Sequence, residues 1–250
     1  PPRSTHCISA AASDVYKRQG AYFGRGLVEP VDDMRASNPP VNAALLDALA
    51  KHFVQLKYDQ KELIRTILES RLYQLSSEAN ATNAADTRNF SRSYRRRLRA
   101  EVLLDAVGDV TGVPTSFSAT WNGARALETW NFKIGSEFLD AFGRPNSSSD
   151  PPCERNTKGT VVQALHMMHS EILHTKITHA DGRAAKLTAG DQTPAEIAEE
   201  VFLVALNRRP TATETKEITT YFEKKKDDRA GAVQDLLWAV LNTAEFLFNH

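Results

Sequence analysis

Along most of this chain apolar residues recur every three or four positions, and nowhere do β-branched residues alternate long enough to build a sheet. That pattern predicts an all-α fold. From Asn42 the run Leu45, Leu46, Leu49, Phe53 and Leu56 has helical spacing, and Asp59 followed by Glu62 is an acidic capping signal for a second stripe of Leu63, Ile64, Ile67, Leu68 and Leu72. Lys57 and Tyr58 leave room only for a tight connection, so these two helices should form an antiparallel pair. Residues 76–89 are polar and aperiodic, a loop. A third helix is expected over about 94–110 through Leu98, Val102, Leu103, Val107 and Val110, with Gly112 and Pro114 as stop signals.

Residues 114–158 concentrate the breakers, among them Gly123, Gly135, Gly143 and Pro145, and predict a long irregular insert with at most one short helix near 136–141. Periodicity returns at Val161, Val162, Leu165, Met168, Ile172 and Leu173, followed by a loop over 178–192. Thr193, Pro194 and Glu196 supply N-cap, first-turn proline and N3 acid in order, and Thr211 with Glu214 repeats the device. A last stripe runs from Val233 to Leu247, broad enough to predict a centrally packed helix against the segment 194–225. The expectation is a multi-helix bundle-like domain of about seven helices over 20–250.

The 31 Lys+Arg balance 31 Asp+Glu, so a dedicated nucleic-acid binder, which needs a basic surplus, is disfavoured. No apolar run approaches the ~20 residues of a membrane-spanning helix. Residues 1–19 lack a signal-peptide core and an amphipathic period, and AASDVYKRQ at 11–19 resembles the translation of a transposon end used in sequencing libraries. They are read as a non-native or disordered leader, a native disordered terminus being the alternative. Setting Cys7 aside leaves Cys153 alone, which makes neither an intrachain disulfide nor a Cys-based zinc site.

Four groups of residues could carry chemistry. Arg88, Arg92, Arg95, Arg96, Arg97 and Arg99 lie within twelve positions, with Phe90 and Tyr94 between them. If helical, Arg88, Arg92, Arg95 and Arg99 form a stripe able to hold a polyanion; the alternative is pairing with acids of a neutral protein. His166 and His169 at i, i+3 could share a metal, but no HExxH acid accompanies them, and a helix-face histidine is the plainer reading, so no metal site is expected. Glu29, Asp32 and Asp33 beside Arg35 could divide acid and base roles or simply cap a turn. Cys153 and Arg155 could mark a nucleophile, without an assignable partner. Nucleophile-elbow, Walker and dinucleotide motifs are absent from the sequence.

The stretches YFGRGLVEPVDDMR (22–35), NPPVNAALLDALA (38–50), YDQKELIRTILESRLYQLSS (58–77), RRLRAEVLLDAV (96–107), FGRP (142–145), CER (153–155), QALHMM (163–168) and LLWAVLNTAEFLFNH (236–250) closely resemble the planctomycete-type domain of unknown function 1553. The resemblance spans nearly all of the body. It implies the C-terminal part of an exported protein, N-terminally truncated here, in an extracytoplasmic setting, beside a companion domain and often a cytochrome-c-like domain. Any haem would then belong to those upstream domains, with no cofactor in this chain. The family brings no established catalytic residues. Relatives often show a second cysteine two residues before Cys153, where this chain has Pro151.

Three functions compete. One is a non-catalytic helical domain serving packing, docking or substrate presentation. The second is an enzyme of polysaccharide breakdown with its site in the 114–158 insert, using Asp32, Asp33, Arg155 and His166. The third is polyanion binding by Arg88, Arg92, Arg95, Arg96 and Arg99.

Overall fold

The computed structural model describes residues 3–249 apart from 32, 34, 36, 119, 122, 130–133 and 145–160. Helix accounts for 56% of the chain and strand for 2%, as an all-α pattern requires. The chain divides into two compact units, residues 1–96 and 97–249.

The first unit holds α1 (Arg3–Phe23), α2 (Ala43–Gln55) and α3 (Gln60–Leu68). Asn42 caps α2 by accepting from the Leu45 N–H, and Asp59 caps α3 by accepting from Lys61 and Glu62. The connector between them is as tight as its length predicts: Lys57 and Tyr58 both take left-handed backbone, at φ 53° and 63°. That conformation is unfavourable for side-chain-bearing residues, and the edge-on packing of Tyr58 against Phe53 at 5.4 Å offsets it.

The leader is where expectation and structure part. Residues 3–23 form one helix, and Ala11, Ala12 and Val15 are buried with Leu46, Ala50, Phe53, Leu63 and Ile67 in the unit's core. Buried Gln19 closes the turn that follows, its Oε1 accepting from the Leu27 N–H at 2.8 Å and its Nε2 donating to the Arg25 carbonyl at 3.2 Å. The small residues of AASDV suit close approach to α2, a packing role that a search for large apolar periodicity overlooks.

In the second unit α4 (Ala100–Thr111) is the central element, burying eight residues, and it ends as expected at Gly112, which takes φ 70°. Around it stand α5 (Glu137–Ala141), α6 (Val161–His169), α7 (Glu171–Ile177), α8 (Arg183–Ala189), α9 (Pro194–Leu206), α10 (Ala212–Lys224), α11 (Arg229–Leu241) and α12 (Ala244–Leu247). Twelve α-helices are therefore present among the described residues instead of about seven. Part of the excess comes from internal caps. Ser170 accepts from the Leu173 N–H and splits the expected helix 161–173 into α6 and α7, while Thr243 accepts from Phe246 and breaks the last helix.

A further helix, α8, lies inside the expected loop 178–192. Its C-terminal carbonyls are gathered by a distant residue: Arg229 donates to the carbonyls of Leu187, Thr188, Gly190 and Gln192. The capping boxes at Thr193/Glu196 and Thr211/Glu214 both form. α11 packs on α9 and α10, as expected of a central helix, and also on α7 and α8. Of the insert, the described residues are irregular apart from a single 3₁₀ turn at Ala126–Glu128 and α5; residues 145–158 lie outside the described residues.

Candidate functional site

The 29–35 turn closes on itself. Arg35 grips Asp33 with two hydrogen bonds of 2.6 Å, holding that half-buried carboxyl below its usual range. Glu29 accepts from the Gly26 N–H at 3.1 Å, and Asn38 Nδ2 donates to the carbonyls of Glu29 and Asp33. These contacts are those of a turn. Asp32, Cys153 and Arg155 lie outside the described residues. Among the described residues no three His, Cys, Asp or Glu side chains are grouped so as to hold a metal ion.

The arginine segment is not a helix. Residues 88–95 are irregular, Arg96–Arg97 form a two-residue strand, and α4 begins only at Ala100. The cause lies just upstream, in Asp86, whose carboxylate accepts from the N–H groups of Arg88, Asn89 and Ser91 and from the Ser91 hydroxyl. Those bonds hold it far below the usual carboxylate range. They offer the backbone a turn in place of a helix start, and Phe90 takes the left-handed φ of 55° that the turn needs. A single stripe of Arg88, Arg92, Arg95 and Arg99 is thus ruled out.

The expected pairing with acids is missing as well. Among the ion pairs of the described residues none uses Arg88, Arg92, Arg95, Arg96 or Arg99. The guanidinium contacts of Arg92, Arg95 and Arg96 are instead carbonyls, hydroxyls and a ring. Arg96 donates to the Ala21 carbonyl at 2.6 Å and is lowered from its ordinary pKa by burial. Arg92 donates to the Ser77 carbonyl and Arg95 to the Ser77 hydroxyl, each at 3.4 Å, and Arg92 also lies 5.5 Å from the Tyr94 ring centre.

In the second unit His166 packs edge-on to Phe138 and Phe142, at 5.5 and 5.9 Å. It lines a cleft of about 610 Å³ together with Thr115, Glu137, His169, Glu171 and Lys176. Two polar atoms there, His166 Nε2 and Thr115 Oγ1, are buried without a hydrogen-bond partner. Buried Lys176 donates to the Val113 carbonyl, and desolvation brings its pKa down to about 8. Such groups, with the carboxylates of Glu137 and Glu171 lining the same cleft, can bind a polar ligand or exchange a proton. Sequence reasoning found His166 and missed Thr115 and Lys176. The signal for Lys176 was its place three residues after Leu173, on the apolar face of a helix.

Elsewhere on this unit α10 and α11 leave an apolar groove of about 540 Å³ lined by Ile218, Tyr221, Phe222, Leu236, Trp238 and Ala239, with Glu217 and Asp235 at its edge. Trp238 is 39% exposed and Tyr221 38%. The Trp238 indole N–H donates to the Met168 carbonyl at 3.3 Å, and the Met168 and Leu165 side chains of α6 are themselves exposed. Trp238 is therefore left partly uncovered within this unit.

Residues 19–222 match the model of the PSD1 family, protein of unknown function (DUF1553), and the chain belongs to that family. No curated protein and no solved structure matches the chain.

Proposed function

We propose that, as a member of this family, the chain is a non-catalytic helical docking domain of an exported protein, and that the α10–α11 groove seats the companion domain of the same polypeptide. The observation that carries this reading is the groove itself. Trp238 and Tyr221 stand more than a third exposed in it, an apolar exposure of a kind that monomeric domains reserve for contacts. Asp235 at its edge is already held by Lys225 and the Tyr221 hydroxyl, which leaves Glu217 as the acid there, so the surface it fits is apolar at the centre with a basic group facing Glu217. An extracytoplasmic location and a cytochrome-c-like neighbour belong to the same proposal and rest on the family resemblance.

Titration calorimetry of this chain with the separately produced companion domain tests it. Trp238→Ser should weaken association at least about tenfold, since exposed tryptophans at interface centres carry much of the binding energy. Equal affinity of variant and wild type would refute the assignment, as would no binding by the wild type.

A second reading, an enzyme of polysaccharide breakdown, draws support only from the His166–Lys176 cleft. It predicts that Lys176→Met abolishes an activity against a polysaccharide panel.

A further inference from the structure

We propose that Arg92 and Arg95 form an oxyanion-binding fork on the first unit, and that its ligand is a sulfate- or carboxylate-bearing polysaccharide. Two guanidinium groups are drawn to one residue, buried Ser77, one by its carbonyl and the other by its hydroxyl. No carboxylate stands within ion-pairing distance of either, among the described residues. Each anchoring bond occupies a single N–H, leaving the others of both forks for a ligand, and Arg92 Nε is buried with no partner. Like charges fixed side by side without a counter-ion are unfavourable, and a shared oxyanion removes the repulsion.

The two acids of residues 71–96 form no ion pair with the fork. Asp86 is saturated by three N–H groups and the Ser91 hydroxyl, and Glu78 forms no ion pair with either arginine. Ser93 N–H donates to the Ser76 carbonyl at 3.0 Å, which ties the irregular segment bearing both arginines to the segment that anchors them. The fork is thereby held in place before any ligand arrives.

The aromatic residues decide between kinds of polyanion. Single-stranded nucleic acid is held by bases stacking on free ring faces. Here Phe90 is buried, Phe23 packs edge-on to both Phe90 and Tyr73 at 5.8 Å, and Tyr94 has Phe90 at 5.9 Å and the Arg92 guanidinium over its face. Phe90 is thereby closed to a base, and one face of Tyr94 is taken by the protein's own cation. A polymer that offers anionic groups without bases fits the site.

The test is heparin, a sulfated polysaccharide, titrated into the chain at low salt, with single-stranded DNA of equal charge as comparison. Arg92→Gln/Arg95→Gln should weaken heparin binding at least about tenfold, since each lost charge-assisted bond accounts for about that factor. Because Arg92 also packs on Tyr94, the exposed single variant Arg95→Gln guards against misfolding and should lose a smaller part of the affinity. Arg71→Gln should bind like wild type. Equal heparin affinity for wild type and both fork variants would overturn the site. DNA binding as tight as heparin's, lost in the same variants, would overturn the polysaccharide and leave a general anion site.

Discussion

Leu237→Ala is the perturbation whose consequence the packing fixes most closely. Leu237 is 0% exposed on α11 and belongs to a cluster with residues of α4, α8 and α9. With helices on several sides the wall cannot collapse into the space a leucine leaves, so the cost should fall toward the upper part of the known range, about 3–5 kcal/mol. Against a total stability of about 5–15 kcal/mol that is a large fraction. With a urea slope of about 2 kcal/mol per molar, the midpoint should drop by about 1.5–2.5 M at unchanged slope. All three tryptophans, Trp121, Trp130 and Trp238, fall within residues 97–249, so intrinsic fluorescence reads the unfolding of this unit. Leu203→Ala, at a position 42% exposed on α9, is the control and should cost below about 1 kcal/mol. Equal midpoints for the two variants, or a shift below about 0.5 M for Leu237→Ala, would refute the view of α11 as the unit's enclosed helix.

Two pH effects follow from paired and buried groups. Glu214 is held down to about 2 by the Arg208 guanidinium, which also grips Glu245, and by the Thr211 N–H. A lowered carboxyl pKa contributes stability above the unfolded value and loses it as pH falls, so denaturation midpoints should decline between about pH 4.5 and 2, by on the order of 1 kcal/mol for this half-exposed group, and Glu214→Gln should flatten that decline. Lys176 gives a slope of the same sign from a different cause, burial in place of pairing: with a folded pKa of about 8 against an ordinary 10.5, the unfolded chain binds the proton better, so stability should rise with pH between those values. Lys176→Met should lack that rise when both proteins are unfolded in urea at pH 7.5 and pH 10, and an identical pH response would sink the argument.

The helices that the sequence predicts well are those whose determinants are local. Thr193 with Glu196, Thr211 with Glu214, Asn42 and Asp59 each bond within three residues, and their helices begin where the spacing places them. The misjudged elements answer to residues outside the window that was read. Asp86 turns the arginine segment away from a helix from two to five residues upstream of its partners, and Arg229 gathers the end of α8 from some forty positions downstream. Ser170 and Thr243 are local caps, yet they sit inside continuous apolar periodicity, which carries the eye across the break. The cleft shows the same division. His166 stands out by residue type, whereas Thr115 gains meaning only when Val113–Ser116 is folded beside α6 and α7.

Electroneutrality misleads for a related reason. Zero net charge counts every acid against every base, but in physiological salt charges act over about 8 Å, so only local balance decides whether an anion is attracted. The first unit carries 14 Lys+Arg against 10 Asp+Glu, and over residues 71–96 five arginines face only Glu78 and Asp86. The acids that restore neutrality are in the second unit, and many are already committed there: Glu214 and Glu245 to Arg208, Glu200 to Arg183, Asp105 and Asp109 to Arg125, Asp140 to Arg144. Partners spent on their own structure cannot neutralise Arg92 and Arg95. A chain neutral as a whole can therefore hold an anion on one unit, and that binding should weaken steeply with added salt, as counter-ion release requires.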